Sequence, residues 1–579
     1  MPKEPRSGFI AALYPAAIVL AACLAFGLTL RGGFMWDDHQ MIEQNPALAF
    51  TRANVAHAFV SDPFNQGLNY YRPLQTLSNM ADFAVWGYNP AGYHLTNLVC
   101  HAAAAALLFY LALALGFGLP ASFMAALLLA VHPAVVEQLL IIAGRAELAS
   151  TACMLASLLL FLKKRTALAF AFFLGAVGFK ENGVITPALG ALCLWHLGRE
   201  KKEYKRLLPF LAFIPLYFFL RHQALGLGAL SKGFLPTLAG LFLKAPQCLA
   251  VYLKEALLPF DMSSHRMQPV SALLNFTALP ALAAAAVFLY RRGSRTALFC
   301  AGWYLLNLAP KLPLLATNDL MLDHWAYLAN SGLFLWAAEK AAGLAGLRRL
   351  LPAAAAAVFM GASAFNITQR NTDLKNYERA ARTSSSKPML YNLAREYYFL
   401  GRPAESRALM ERISAAEPGS VLYLNGLALA RWRYGDSGGA LLALENALAL
   451  KPADPDALFN KYCVLAAAGR VAEAAAALDR ALEYNPGYPP ALLAMARGQE
   501  AAGRKTEAAV YYGRLLAASP YNLEGLNDYG VLLAKSGDYE GAERLFRTEL
   551  KVSPGLPSAR ANLAHLAGLK AAAQPPKKI

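Results

Sequence analysis

The sequence predicts an all-α chain in two parts, a polytopic membrane domain over residues 1–370 and a superhelix of repeated helix pairs over residues 388–569. Three observations predict this organisation. Apolar runs follow one another through the first part, a 34-residue repeat runs through the second, and only 16% of the 579 residues are charged. Soluble proteins average about 25% charged residues, so a wholly soluble chain is excluded. Residues 371–387 are predicted to be a linker, and residues 570–579 a disordered tail.

Composition excludes several other classes of protein. Hydrophobic residues make up 57% of the chain, and the mean hydropathy is +0.35. The seven cysteines form no Cys-x-x-Cys pair, which argues against a zinc or redox motif. The net charge of +17 comes from basic residues that cluster in short loops between apolar runs, without a nucleic-acid motif. Membrane topology therefore explains the charge, and no nucleic-acid partner is expected.

Apolar runs of about 15 to 22 residues predict membrane helices. The segment 235–260 carries Lys244, Lys254 and Glu255, so we expect it to lie in the interface or to be re-entrant. With that segment left out, eleven crossings are predicted: 9–30, 95–115, 120–141, 148–162, 166–180, 183–198, 207–222, 271–290, 296–312, 326–343 and 350–367.

The basic loops predict the orientation of these crossings. They face the cytoplasm if the N-terminus is cytoplasmic, and an odd number of crossings then places the repeats outside. The loop 31–93 is also outside in this arrangement. An alanine-rich sequence with short loops and no disulfide pattern favours a bacterial inner membrane.

Two interleaved series of residues define the repeat. Both series have a step of 34 residues: Pro418, Pro452, Pro486, Pro520 and Pro554, with Gly401, Gly435, Gly469, Gly503 and Gly537. Each glycine closes a first helix and each proline ends a second helix. This is the tetratricopeptide period, which predicts about five stacked helix pairs and a capping helix near 558–569.

Polar residues of the membrane domain collect on its outer side. Ionisable groups at a membrane edge are costly, so several on one side indicate a polar cavity there. The candidate residues are Asp37, Asp38, Arg72, His94, Asn97, His101, His132, Glu137, Arg145, Lys180, Glu181 and His324.

Several of these candidates have a purely structural alternative. His101 could be a buried packing histidine with its hydrogen bonds satisfied. Arg145 with Glu147, and Lys180 with Glu181, could each form a local ion pair. The sequence leaves these alternatives open.

An ordered set of short motifs runs through the membrane domain: Trp36-Asp37-Asp38, Tyr71-Arg72-Pro73-Leu74, Trp86-Gly87-Tyr88-Asn89-Pro90, Tyr93-His94-Leu95-Thr96-Asn97-Leu98 with His101, Val131-His132-Pro133 with Glu137, Gly144-Arg145, and Lys180-Glu181. This set resembles the transmembrane and tetratricopeptide repeat O-mannosyltransferases over almost the whole chain. The resemblance implies a GT-C fold and an enzyme that takes a sugar, mannose in the family's example, from a polyprenyl-phosphate carrier on the extracytoplasmic side.

One motif departs from the family pattern. Members usually carry an acidic-Arg pair before Tyr-Leu-Pro-Ser, and this chain has Asp323-His324 before Trp325-Ala326-Tyr327-Leu328-Ala329-Asn330. The arginine is therefore missing from a position that the resemblance associates with the donor phosphate. Whether His324 takes its place is left open.

The residue types suit glycosyl transfer from a lipid phosphate to a hydroxyl. The reaction needs a base for the hydroxyl proton and positive charge for the leaving phosphate. Asp37 or Asp38 is the predicted base, although Asp38 could instead cap a helix or turn. Arg72, Arg145, Lys180 or a histidine would neutralise the phosphate. Direct attack would invert the anomeric centre. The scheme requires no cofactor, and a divalent metal is possible although no established ligand spacing is present.

The repeats are predicted to bind an extracytoplasmic polypeptide acceptor. The candidate residues on first helices of the repeats are Tyr391, Asn392, Tyr423, Asn425, Asn460, Tyr462 and Asn527. The tyrosines could instead fill the spaces between repeats. Two other functions remain open at this stage, a non-catalytic membrane scaffold that recruits partners through its repeats and a transporter of lipid-linked sugars.

Overall fold

A computed structural model describes most of residues 7–573. The gaps are at 44, 46, 62, 64–69, 226–233, 261, 263–265, 268–276, 279, 282–283, 286, 289–290, 312–319, 345–350, 371, 382–385 and 553–556. The chain divides into two compact units, and the second consists of the residues from Lys387 onward together with Gly87–Asn89. The predicted all-α class is confirmed.

The described part of the first unit is mostly helical. Its α-helices are α1 (Ser7–Phe26), α2 (Arg52–Ala58), α3 (Pro73–Trp86), α4 (Pro90–Ala114), α5 (Leu119–Val131), α6 (Val136–Leu140), α7 (Arg145–Leu162), α8 (Thr166–Phe179), α9 (Thr186–His196), α10 (Lys201–Tyr204), α11 (Leu208–Leu225), α12 (Phe234–Leu257), α13 (Arg295–Leu308), α14 (Tyr327–Ala342), α15 (Leu351–Arg370) and α16 (Asp373–Ala381). Two-residue strands at Arg266–Met267 and Leu320–Met321 pair antiparallel.

Five of the described helical segments are long and apolar enough to cross a membrane. They are Leu13–Arg31, Pro90–Ala114, Ile142–Leu162, Lys201–Leu225 and Leu351–Arg370. A sixth candidate is a pair of helices, Leu119–Val131 and Pro133–Leu140, bent by 48°. These six segments overlap six of the predicted crossings.

The other predicted crossings correspond to shorter helices or to gaps. Helices α8, α9, α13 and α14 have 14, 11, 14 and 16 residues. At 1.5 Å per residue each is shorter than the roughly 30 Å of a bilayer core. Most of the predicted crossing at 271–290 lies outside the described residues. The count of eleven crossings therefore stays a prediction.

The segment predicted to be interfacial or re-entrant is α12, whose C-terminal half has a buried face. Cys248 and Tyr252 pack with Trp325 in one apolar cluster. The Tyr252 hydroxyl donates a hydrogen bond of 3.0 Å to the carbonyl of Leu322. This packing places the C-terminal half of α12 against the residues that precede α14.

Alanines line the helix contacts at the centre of the first unit. Ala22 and Ala25 on α1, Ala104 on α4, and Ala125 and Ala126 on α5 are completely buried in one cluster. Small side chains let helix backbones approach closely, which provides the dispersion contacts that hold membrane helices together. The alanines of this alanine-rich chain thus allow close packing where its helices meet.

The second unit contains five helix pairs and a capping helix. Its helices are α17 (Lys387–Phe399), α18 (Pro403–Ala416), α19 (Val421–Tyr434), α20 (Ser437–Leu450), α21 (Pro455–Ala467), α22 (Val471–Tyr484), α23 (Pro489–Ala501), α24 (Lys505–Ala518), α25 (Leu523–Lys535), α26 (Tyr539–Val552) and α27 (Pro557–Ala573). The five periodic glycines all have positive φ, from 71° to 101°. Only glycine adopts this backbone conformation without strain, so each one ends the first helix of its pair.

The predicted orientation can be tested by labelling single cysteines from outside the cell. We expect Val471→Cys, at a side chain that is 74% exposed, to react with an impermeant maleimide in intact cells. Lys202→Cys, at a side chain that is 73% exposed in a predicted cytoplasmic loop, is the matched control and should react only after permeabilisation. Both variants are made in a chain whose seven natural cysteines are replaced. The reverse labelling pattern would show that the orientation is wrong.

Candidate active site

The loop that follows α1 carries the aspartate pair in an unusual backbone conformation. Trp36 has a φ of +53°, in the left-handed region that residues with side chains rarely adopt. Strained residues of this kind persist only where the surrounding structure holds them. The turn leaves the Asp38 side chain buried and the Asp37 side chain exposed.

Asp38 ties this loop to the turn that precedes α7. Its completely buried carboxylate accepts hydrogen bonds from the backbone N–H groups of Met35 (3.1 Å), Ile142 (3.0 Å) and Ala143 (2.8 Å). Burial raises the pKa of Asp38 to about 7, although the three N–H groups oppose this shift. These contacts match the structural alternative for Asp38, a carboxylate that caps turns.

Asp37 differs from its neighbour in remaining exposed. Although solvent reaches this side chain, desolvation by the protein packed around it raises the pKa of Asp37, and the positive charges of Arg72 and His324 offset only part of this effect. Glu137 also lies near enough to raise the pKa of Asp37. The structure thus brings Asp37 together with three other predicted site residues from distant parts of the sequence.

Arg72 is held in place by a bidentate ion pair with Glu181. Its Nε and Nη2 atoms lie 3.0 Å and 2.7 Å from the two carboxylate oxygens, and its guanidinium lies 4.4 Å from the centre of the Tyr70 ring. Burial raises the pKa of Glu181, but the charge and hydrogen bonds of Arg72 outweigh that effect and lower it to about 2. Glu181 therefore pairs with Arg72, and the alternative of a local pair with Lys180 is wrong.

Glu147 is the centre of a second ion-pair group. Its two carboxylate oxygens lie 2.7 Å from Nζ of Lys180 and 3.1 Å from Nζ of Lys311. Lys311 also donates a hydrogen bond of 2.7 Å to the carbonyl of Trp325, in the motif that departs from the family pattern. One buried carboxylate thus connects the end of α8 with the turns that precede α14.

Arg145 is completely buried and saturated with hydrogen bonds. Its guanidinium lies 2.5 Å from the Asp82 carboxylate, and it donates to the side-chain oxygens of Asn97 (2.9 Å) and Asn79 (3.0 Å). The alternative of a local pair between Arg145 and Glu147 is therefore wrong. These contacts favour a structural role for Arg145 and for Asn97, both of which were candidates for the donor site.

Three predicted histidines, two on α4 and one directly after α5, are buried with hydrogen-bond partners. His94 lies 3.0 Å from the carbonyl of Leu139, and His132 lies 3.2 Å from that of Ala256. His101 lies 2.8 Å from the hydroxyl of Tyr327. This geometry favours the alternative of satisfied packing histidines, which the sequence left open for His101.

His324 occupies the position of the missing family arginine. Its Nδ1 lies 3.0 Å from a carboxylate oxygen of Glu137, and its side chain keeps 19% exposure. The Glu137 carboxylate fixes the orientation of the ring, and Nε2 donates a hydrogen bond only when the imidazole is protonated. His324 and Arg72 are thus the two predicted cations that share the neighbourhood of Asp37.

In the repeats, the predicted tyrosines pack between neighbouring units. The rings of Tyr391 and Tyr423 lie 5.6 Å apart, and a Cβ on Gly426 would come within 2.8 Å of Tyr391. Tyr462 packs against a cluster that includes Leu478 on α22 and Ala491 on α23. The alternative that these tyrosines fill spaces between repeats is favoured.

The predicted amides form short hydrogen-bonded ladders. Asn460 donates to Asn425 at 3.5 Å, and Asn562 on the capping helix donates to Asn527 at 2.8 Å. Asn392 is half-buried on α17. Asn527 also lines a charged groove, whose other residues are Arg497, Glu500, Ala501, Tyr512, Asp528, Val531 and Lys535.

Family models and curated proteins both match parts of this chain. Models described as tetratricopeptide repeat match residues 391–457, 427–489, 465–520 and 493–557. Protein O-mannosyl-transferase TMTC2 of Mus musculus is 33% identical over 201 residues, which are 32% of this chain and 24% of that protein. TMTC1 of Mus musculus is 34% identical over 162 residues, 26% of this chain and 17% of that protein. Protein O-mannosyl-transferase Tmtc1 of Drosophila melanogaster is 33% identical over 203 residues, which are 32% of this chain and 24% of that protein.

These similarities confirm the resemblance to the transmembrane and tetratricopeptide repeat O-mannosyltransferases. The matches span no more than 24% of the length of these three relatives. Among solved structures, PilW, described as a widely conserved type IV pilus biogenesis factor, is 18% identical with a TM-score of 0.28, covering 38% of this chain and all of that chain. A thermophilic tetratricopeptide protein of Thermus thermophilus is 21% identical with a TM-score of 0.27, and the match covers 31% of this chain and 99% of that chain.

Sequence reasoning missed three residues of this region. Lys311 falls within the predicted crossing 296–312, where a lone lysine is a costly residue that signals a buried partner. Asp82 and Asn79 lie one turn apart on α3 and face Arg145. Their spacing was visible in the sequence, but their partner is more than 60 residues away.

The contrast between the two aspartates predicts different effects on stability. Asp38→Asn should lower the midpoint of thermal unfolding in detergent, because buried N–H groups that lose their acceptor cost about 1–3 kcal/mol each. Asp37→Asn, at an exposed side chain, is the matched control and should leave the midpoint within experimental error. Equal midpoints for both variants and the wild-type chain would contradict the role assigned to Asp38.

Proposed function

We propose that this chain is an inverting membrane glycosyltransferase of GT-C type. It moves a sugar, mannose by analogy with the names of its relatives, from a polyprenyl-phosphate donor to hydroxyl groups of an extracytoplasmic polypeptide. The observation that carries the proposal is the grouping of one exposed carboxylate, Asp37, with the basic side chains of Arg72 and His324. The names of the relatives supply the reaction class.

Asp37 is the proposed base. Solvent reaches its side chain, and desolvation by the surrounding protein raises its pKa, which increases its affinity for a proton at neutral pH. Asp38 is completely buried, and its oxygens already accept three backbone N–H groups. A base must reach the proton that it removes, so the choice left open by the sequence falls on Asp37.

Arg72 and His324 are the proposed phosphate partners. Arg72 is oriented by Glu181, and its charge lies within range of Asp37. A planar guanidinium matches the oxygens of a phosphate, and a fixed cation stabilises charge on a leaving group without reorganising. Lys180 is engaged with Glu147 and Arg145 with Asp82, so both are proposed to support the site from a distance.

The repeats are the proposed acceptor-binding part. The amide ladders offer donors and acceptors that suit an extended peptide backbone, while the tyrosines are used mainly for packing. Binding there would raise the effective concentration of the acceptor near the donor without adding a catalytic group.

The first test compares the two aspartates in a transfer assay. We expect Asp37→Asn to lower turnover with a polyprenyl-phosphate sugar by roughly a hundredfold or more, because the base is lost. Wild-type turnover should fall as the pH decreases through the pKa of Asp37, since only the carboxylate accepts a proton. That acidic limb should lie above pH 3.8, the ordinary value. Near-normal turnover of a folded Asp37→Asn protein would remove Asp37 as the base.

The second test removes the repeats. Deleting residues 388–569 should abolish glycosylation of a polypeptide acceptor while preserving slow donor hydrolysis or transfer to a small hydroxyl acceptor. A truncated chain that modifies the polypeptide as well as the intact one would assign the repeats another role. Absence of any transfer by the intact chain, combined with recovery of partner proteins on the repeats, would favour the scaffold. Movement of the lipid-linked sugar across vesicles without transfer would favour the transporter.

A further inference from the structure

Both residues that flank the aspartate pair are held by one face of α16. The Trp36 ring stacks on Tyr377, with centroids 5.6 Å apart and planes inclined by 25°. Nε2 of His39 lies 3.0 Å from the Asp373 carboxylate, and its Nδ1 pairs with Glu43. Asp373 and Tyr377 are four residues apart, so they share a face of the helix.

Helix α16 is itself anchored to the first unit by other residues. Asn376 exchanges two hydrogen bonds with the buried Arg370, one from Nε of Arg370 (3.1 Å) and one to its carbonyl (2.7 Å). Arg379 donates a hydrogen bond of 3.1 Å to the carbonyl of Met262. The helix therefore provides a fixed surface against which the loop is held, although the sequence placed it within a linker.

We propose that α16 positions the candidate catalytic loop, with Tyr377 and Asp373 as the positioning residues for Asp37. This inference rests on the proposed function, because it takes Asp37 as the base. Neither residue touches the reacting atoms. They act through Trp36 and His39, the residues on either side of the aspartate pair.

The backbone of Trp36 explains why the loop needs such a support. A residue with a side chain at φ +53° relaxes toward negative φ unless its surroundings hold it. Such a relaxation would rotate the peptide that leads to Asp37. Asp38 restrains the loop through its hydrogen bonds with the N–H groups of Ile142 and Ala143. Helix α16 restrains it through its contacts with Trp36 and His39, the two residues that flank the aspartate pair.

Hydrogen exchange of the full-length protein in detergent tests the structural part of the proposal. Tyr377→Ala should increase amide exchange across residues 34–40 at least tenfold, because the stacking partner of Trp36 is removed. Tyr377→Phe retains a ring and should keep the wild-type protection. Lys375→Ala is the matched control, since Lys375 is exposed on the same helix and bonds to the carbonyl of Thr368. Unchanged protection in Tyr377→Ala would overturn the proposal.

Transfer kinetics test the functional part. Tyr377→Ala should lower kcat at least tenfold and leave KM for the donor within twofold, because the base is displaced while the phosphate partners remain. Tyr377→Phe should restore kcat, which a general loss of folding would not allow. Raised exchange with a normal kcat in Tyr377→Ala would also overturn the proposal.

These measurements separate the inference from the proposed function. If Asp37→Asn keeps normal turnover, Asp37 is not the base and the proposed function fails at that residue. If Asp37→Asn is inactive and Tyr377→Ala has wild-type exchange and kcat, the proposed function stands and the positioning role of α16 is wrong.

Discussion

The structure of the candidate site depends on one buried carboxylate. Asp38 accepts three backbone N–H groups and thereby joins the loop after α1 to the turn before α7. A Cβ on Gly144 would come within 2.4 Å of the carbonyl oxygen of Gln138, so this turn forms only with glycine there. Because Asp38 faces inward, the left-handed Trp36 directs Asp37 to the exposed side, where Arg72 and His324 provide positive charge.

Charged side chains of the first unit are paired across long stretches of sequence. Arg72 pairs with Glu181, Arg145 with Asp82, and Glu147 with Lys311. A buried ion without a partner is strongly unfavourable, so each pair requires its two helices to meet at one place. The pairs therefore fix the relative positions of the helix ends, in addition to any role in binding an anion.

Sequence reasoning recovers what depends on periodicity and residue type. Spacing of 34 residues is sufficient to find the repeats, because each glycine and proline acts locally. The polar residues of the outer side were also found, since ionisable groups in an apolar chain are conspicuous. The contact partners of these residues were not found. The sequence around Asp38 does not indicate that it binds Ile142, and the sequence around Trp36 does not indicate that it stacks on Tyr377, which lies in the predicted linker. The roles of Asp38 and Tyr377 depend on tertiary contacts, which a sequence pattern does not show.

The alanine-lined helix contacts also limit how this domain can vary. At Ala22, Ala104 and Ala125 there is no exposed surface, so a larger side chain would separate helices that carry different parts of the site. Substitutions are tolerated more readily at exposed positions such as Leu24 and Val99 on the same helices, where size is not restricted by a neighbour. Across related chains, we therefore expect side-chain volume to be constrained on one face of α1 and α4 and only hydrophobicity to be constrained on the other.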